Sequence, residues 1–164
     1  MSPMTPPHIA SIHHGTVLPE WIDYNGHMNL AYYLVAFDQA SDGFTDFIGL
    51  DRPYRAAHDS TIFVVEAHLT YARELVEAEA FRIETRVLGV DGRKLRLFQA
   101  MYRAGETEIA ATNELMILHV DMRTRRSAPF PAPILARLIE LEALQAAHPL
   151  PKQAGRSISL KSRA

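Results

Sequence analysis

Residues 19–33 read Pro19-Glu20-Trp21-Ile22-Asp23-Tyr24-Asn25-Gly26-His27-Met28-Asn29-Leu30-Ala31-Tyr32-Tyr33. This stretch sets an acid, Asp23, and a flexible glycine, Gly26, a few residues ahead of a helix start. The first amides of a helix have no intrahelical acceptor and carry the positive end of its dipole, so they can stabilise an oxygen that gains negative charge. A carbonyl oxygen under attack, that of a thioester for instance, is such an oxygen. A carboxylate beside it can attack the carbon or take the proton of a water that does.

Other residue types in the chain could assist. Asn29 stands where a helix cap belongs. His27 could touch a substrate or orient its own loop by a hydrogen bond. Glu66 and His68 share one face of a strand, from which they could reach the site or a subunit boundary, or simply satisfy each other as a polar pair. The chain has eight histidines and no cysteine. His13 and His14 are adjacent on a strand and so face opposite ways, and no helical histidine pair or thiolate set accompanies them; no metal site and no redox cofactor are expected. Arg73, Arg93, Lys94, Arg123, Arg125 and Arg126 offer charge to phosphates, although most such residues are solvated.

The elements that must position these groups follow from periodicity. Alternation over residues 11–18 gives a short strand stopped by Pro19. Residues 20–29 are a loop with Asn25-Gly26 as its turn. From 30 to 48, Tyr33, Leu34, Phe37, Ala40, Phe44 and Phe47 recur at spacings of three and four, an amphipathic helix ended by Gly49. After a turn-rich stretch at 51–60 come strands at 61–73, 80–90, 94–103 and 108–120, joined by the hairpin signals Asp91-Gly92 and Ala104-Gly105. A second helix is expected at 134–147. Successive hairpins without crossover helices exclude a doubly wound fold; the expectation is an α+β domain, an antiparallel sheet wrapped around the first helix.

One domain is expected over 1–164, with a core at about 11–130 and loose ends at 1–9 and 149–164. The chain has 164 residues, 48% of them hydrophobic and 22% charged, and a formal charge of -2. That composition argues against disorder and against non-specific nucleic-acid binding. No segment reads as a signal peptide or a membrane span, so a cytoplasmic address is expected.

The pattern Asp23-x-x-Gly26-His27-x-Asn29, running into a helix that carries Tyr33, resembles the signature of the 4-hydroxybenzoyl-CoA thioesterase branch of the hot-dog superfamily. Residues 64–71, Val-Val-Glu-Ala-His-Leu-Thr-Tyr, resemble the strand after the helix in those enzymes, and the likeness covers roughly residues 12–125. It implies that Asp23 is the catalytic carboxylate, that the Leu30 amide is the oxyanion donor and that Gly26 lets the loop approach the substrate. It also implies a homodimer or dimer of dimers, with sheets joined edge to edge and the acyl-CoA site between subunits. Residues 21–29, 63–68, 118–121 and 125–130 are similar to the betainyl-CoA thioesterases of carnitine breakdown, which in some bacteria are fused to carnitine dehydrogenase.

A trimethylammonium group donates no hydrogen bond and is commonly held by aromatic faces. Trp21, Tyr24 and Tyr32, helped by Glu66, are the candidate cage, whereas Tyr33 and Phe37 sit on the apolar helical face and belong to the core. Hydrolysis of a short acyl-CoA is thus the expected function, with betainyl-CoA a candidate substrate. Two alternatives stand beside it. A hot-dog enoyl-CoA hydratase or dehydratase would carry Asp-x-Asn-Pro-x-His, but here Asn25 is followed by Gly26-His27. A non-catalytic acyl-CoA-binding module would have no use for an acid at position 23.

Overall fold

The computed structural model describes residues 8–160. Within them lie β1 (Ser11–Thr16), α1 (Leu30–Ile48), α2 (Arg52–His58), β2 (Ser60–Tyr71), β3 (Ala80–Val90), β4 (Lys94–Arg103), β5 (Ile109–Asp121), β6 (Arg126–Ser127) and α3 (Ala132–Ala146), with a 3-10 turn at Pro19–Trp21. The strands form one sheet in the order β1-β3-β4-β5-β2, every described pairing antiparallel, and β6 adds to β5. This is the expected α+β hot-dog arrangement, a curled sheet around a long helix.

The helix is anchored by its periodicity. Tyr33, Ala36, Phe37, Ala40, Phe44 and Ile48 are buried on one stripe of α1, facing Ile83, Leu97, Met101 and Ile117 of the sheet. Buried aromatic and aliphatic side chains of this size contribute about 1.5–3 kcal/mol each, which is why α1 sits on the concave face. Leu34 and Phe47, expected on that stripe, are 43% and 41% exposed. Their positions fall one residue off the true stripe, and Arg137 of α3 covers the Phe47 ring from 4.2 Å.

Most of the stretch at 51–60, expected as turns, is the helix α2. Asp51 caps it by accepting from the Tyr54 amide at 2.9 Å, and Pro53 lies in its first turn, where the missing N–H costs nothing. The second long helix starts two residues earlier than expected, after Pro131. Beyond it the chain does not hang free over the described residues: Arg86 donates to the Pro149 carbonyl at 3.0 Å and the Gly155 amide to Glu114 at 2.6 Å. Residues 1–7 and 161–164, expected to be loose, lie outside the described residues.

Candidate active site

The loop before α1 closes on itself. Ile22 and Met28 bridge, the Asp23 amide donates to the His27 carbonyl at 3.1 Å, and the Gly26 amide to the Asp23 carbonyl at 3.0 Å. Gly26 has φ +82°, a conformation that costs an L side chain roughly 1–2 kcal/mol. The loop is tied outward as well, since the Met28 amide donates to the Leu75 carbonyl at 2.8 Å. That bond ties the segment after β2 to the start of α1.

At the helix start Asn29 is the cap: its Oδ1 accepts from the Ala31 amide at 3.0 Å and its backbone carbonyl from the Tyr32 amide at 3.0 Å. Neither bond uses the Leu30 amide, and Leu30 is 65% exposed. The other end of the Asn29 side chain donates to Asp23 Oδ2 at 3.2 Å, while Asp23 Oδ1 accepts from the Asn25 amide at 2.8 Å. The carboxylate is therefore held against the first turn of α1 with both oxygens oriented.

Asp23, His27 and Leu30 line one cavity of about 370 Å³ together with Tyr71, the last residue of β2, and Arg73 and Glu74 just after it. His27 Nε2 lies 3.8 Å from Glu74, and its Nδ1 lies 3.4 Å from the Met28 carbonyl. Tyr71 donates to the Leu30 carbonyl at 3.2 Å and meets Tyr33 edge to face at 5.3 Å. Burial raises the Tyr71 phenol above its ordinary value, so it stays a neutral donor. Arg73 is ion-paired with Glu108 and lies 3.8 Å from Glu106. The sequence singled out Arg73 in this stretch but not Tyr71 or Glu74, whose place beside the loop goes with the non-local Met28–Leu75 bond.

The remaining expected site residues lie elsewhere in the chain. Trp21 is 7% exposed and stacks on Tyr32 at 5.8 Å, and Tyr24 is 96% exposed; none of the three lines the Asp23 cavity. Glu66 and His68 do share one face, but it is the outer one. The pairing of β2 with β5 slips between Val64 and Glu66, so Val64 and Ala67 both face inward and Glu66 and His68 pair opposite the outward Met116 and Glu114. They line a separate depression with Arg96 and Arg156. Of the six basic residues, Arg73 alone is at the cavity; the others flank the β3–β4 turn and the β5–β6 turn, at the opposite end of the sheet. Among the described residues no group of acids and histidines stands close enough to hold a metal, and no helix is long and apolar enough to cross a membrane.

A family model described as the thioesterase-like superfamily matches residues 17–138, and the chain belongs to that family. It is 40% identical over 144 residues to a betainyl-CoA thioesterase of Pseudomonas aeruginosa, covering 88% of this chain and 91% of the relative. It is 39% identical to an L-carnitine dehydrogenase/betainyl-CoA thioesterase of Agrobacterium fabrum, there covering 90% of this chain but 30% of the longer protein. A hypothetical protein from Staphylococcus aureus solved in complex with CoA superposes with a TM-score of 0.87 at 29% identity, over 98% of this chain and all of that one (100%). A protein of Pseudomonas putida KT2440 provisionally named a thioesterase superposes at 0.79 with 36% identity, over 93% of this chain and 98% of that one. Fold and kinship together make this chain an acyl-CoA thioesterase.

Proposed function

We propose that this thioesterase hydrolyses a short acyl-CoA, with betainyl-CoA as the leading candidate, to the free acid and coenzyme A. The observation that carries the reading is the shared cap: one side chain, Asn29, joins the Asp23 carboxylate to the first turn of α1. In the proposed reaction Asp23 either deprotonates the attacking water, or attacks the thioester carbonyl itself to give a mixed anhydride that water then cleaves to the free acid and the restored carboxylate. The Leu30 amide, free of the cap's bonds, receives the developing oxyanion, and the thiol of coenzyme A leaves. Gly26 keeps the loop in its left-handed turn, and His27 and Tyr71 border the same space. The resemblance to a betainyl-CoA thioesterase and to a CoA-bound structure supports the choice of substrate class.

The working form in this reading is a cytoplasmic homodimer. β2 ends the sheet, and Phe63, Val64 and Val65 on it are 37%, 48% and 55% exposed. An open apolar edge of this kind calls for a second copy beside it. Release of free thiol from a panel of acyl-CoAs, read with the native protein and with Asp23→Asn, tests the function. Loss of thiol release in a folded Asp23→Asn protein is the expected result, and undiminished release overturns the assignment of Asp23.

A further inference from the structure

A second cavity, of about 340 Å³, lies along the same groove between α1 and β2, beyond the one that holds Asp23. Tyr71 bonds to Leu30 at the head of the groove, and the two elements run in opposite directions from there. Val64 and Ala67 of β2 therefore face Leu34 and Asp38 of α1, with Leu115 and Asn113 of β5 as the floor. From Leu30 to Asp38 the helix rises about 12 Å, and side chains tilt back toward the N-terminus, so Asp38 reaches up the groove toward the Asp23 end.

The floor of this cavity is polar in a directed way. The Phe37 carbonyl can only accept, so the Gln99 Nε2 that meets it at 3.1 Å must donate, and it donates to Ser41 Oγ at 3.1 Å as well. Gln99 is thereby forced to offer its Oε1 to Asn113 Nδ2, again at 3.1 Å. The chain of bonds leaves Asn113 Oδ1 as an acceptor without a hydrogen-bond partner among the described residues, on a side chain only 1% exposed. A buried acceptor left in that state is costly unless a ligand or water meets it. Asp38 lines the same cavity: it makes no ion pair among the described residues, and burial and then the charge of Asp42 hold it above its ordinary value. Two oxygens seeking positive charge, set among apolar walls, match a cation that carries methyl groups.

We infer that this cavity receives the far end of the acyl group, and that Asp38 and Asn113 Oδ1 select an acyl chain ending in an ammonium cation. The inference rests on the thioesterase reading and adds the residues that read charge. It also places recognition on an acid and an amide rather than on Trp21, Tyr24 and Tyr32, which do not line either cavity together.

Two matched pairs of CoA thioesters test it. Betainyl-CoA is compared with its uncharged isostere 3,3-dimethylbutanoyl-CoA, and 4-(trimethylammonio)butanoyl-CoA with 5,5-dimethylhexanoyl-CoA, by kcat/KM for thiol release. The native protein should favour the cation in at least one pair, and Asp38→Asn should lower that preference about tenfold, the size of one modest charge interaction. Asp42→Asn, one turn further and outside the cavity lining, should leave the preference unchanged. Equal turnover within both pairs, a preference that survives Asp38→Asn, or an equal loss in Asp42→Asn overturns the assignment while the thioesterase reading stands. No thiol from any of the four, with thiol released from other acyl-CoAs, would instead sink the proposed substrate class, and this inference with it.

Discussion

Asn29 holds Asp23 and the start of α1 with the two ends of one amide: Nδ2 donates to the carboxylate at 3.2 Å and Oδ1 accepts from Ala31 at 3.0 Å. Replacing it separates stability from chemistry. Asn29→Ala should lower global stability by about 1 kcal/mol through loss of the cap and should also slow thiol release. Asn29→Asp keeps the cap but sets a second negative charge against Asp23. Its stability should fall less than that of the alanine variant, and the acidic limb of its pH–rate profile should move upward, because a like charge disfavours ionisation. Chemical unfolding and pH profiles of both variants check this.

Gly26 holds φ +82° with open space around the point where a Cβ would stand. Any loss on substitution is therefore conformational and not steric. Gly26→Ala should cost roughly 1–2 kcal/mol and reduce activity, and Gly26→Asn should cost less, since asparagine tolerates the left-handed region. Equal penalties for the two substitutions, measured by urea unfolding, would contradict this account.

Gly15 presents the opposite case. A Cβ built there would overlap the Phe81 ring, so Gly15→Ala should destabilise by about 1–3 kcal/mol through overpacking. Trimming the ring in Gly15→Ala/Phe81→Leu should recover part of that loss. A double variant no more stable than the sum of its single changes would place the cost elsewhere.

His119 is 3% exposed. Burial holds its imidazole below the ordinary value, against the opposing pull of the Ala128 and Pro129 carbonyls and Asp121. The unfolded chain takes up a proton at this residue at a higher pH than the folded one. Its contribution to stability is therefore full above about pH 6.5 and is lost as pH falls from there through the folded value. Urea midpoints should drop between pH 7.5 and pH 5, and His119→Gln should flatten part of that drop.

The proposed dimer is tested at the sheet edge. Sedimentation should show two copies for the native chain and one for Phe63→Glu/Val65→Glu, which adds charge to the apolar edge of β2. A native monomer at micromolar concentration would remove the dimer from the proposal.

The fold was legible where the signal is local. Asn29 and Gly49 at the ends of α1 and the hairpin turns follow from spacings within a few residues and lie where expected, as do Tyr33, Phe37, Ala40 and Phe44 of its stripe, while Leu34 and Phe47 fall beside it. Asp23, Gly26 and His27 were legible for the same reason. The slip in register at Val65 was not, because an extra residue in a strand leaves no mark on residue type, yet it turns Glu66 and His68 to the outer face. Trp21 reads as a candidate contact for a substrate cation, but the turn at Pro19–Trp21 buries it against Tyr32. The second cavity was illegible as well, since it is assembled from α1, β2 and β5 across long sequence separations.

The segment after α3 that bonds to Arg86 and Glu114 also shields the outer wall of the sheet, where Phe98, 1% exposed, lies beneath Pro151, Lys152 and Gln153. Trimming the chain after α3 would thus uncover a greasy patch in mid-sheet. Anyone shortening this protein for crystallisation or fusion should expect worse solubility, not a tidier particle.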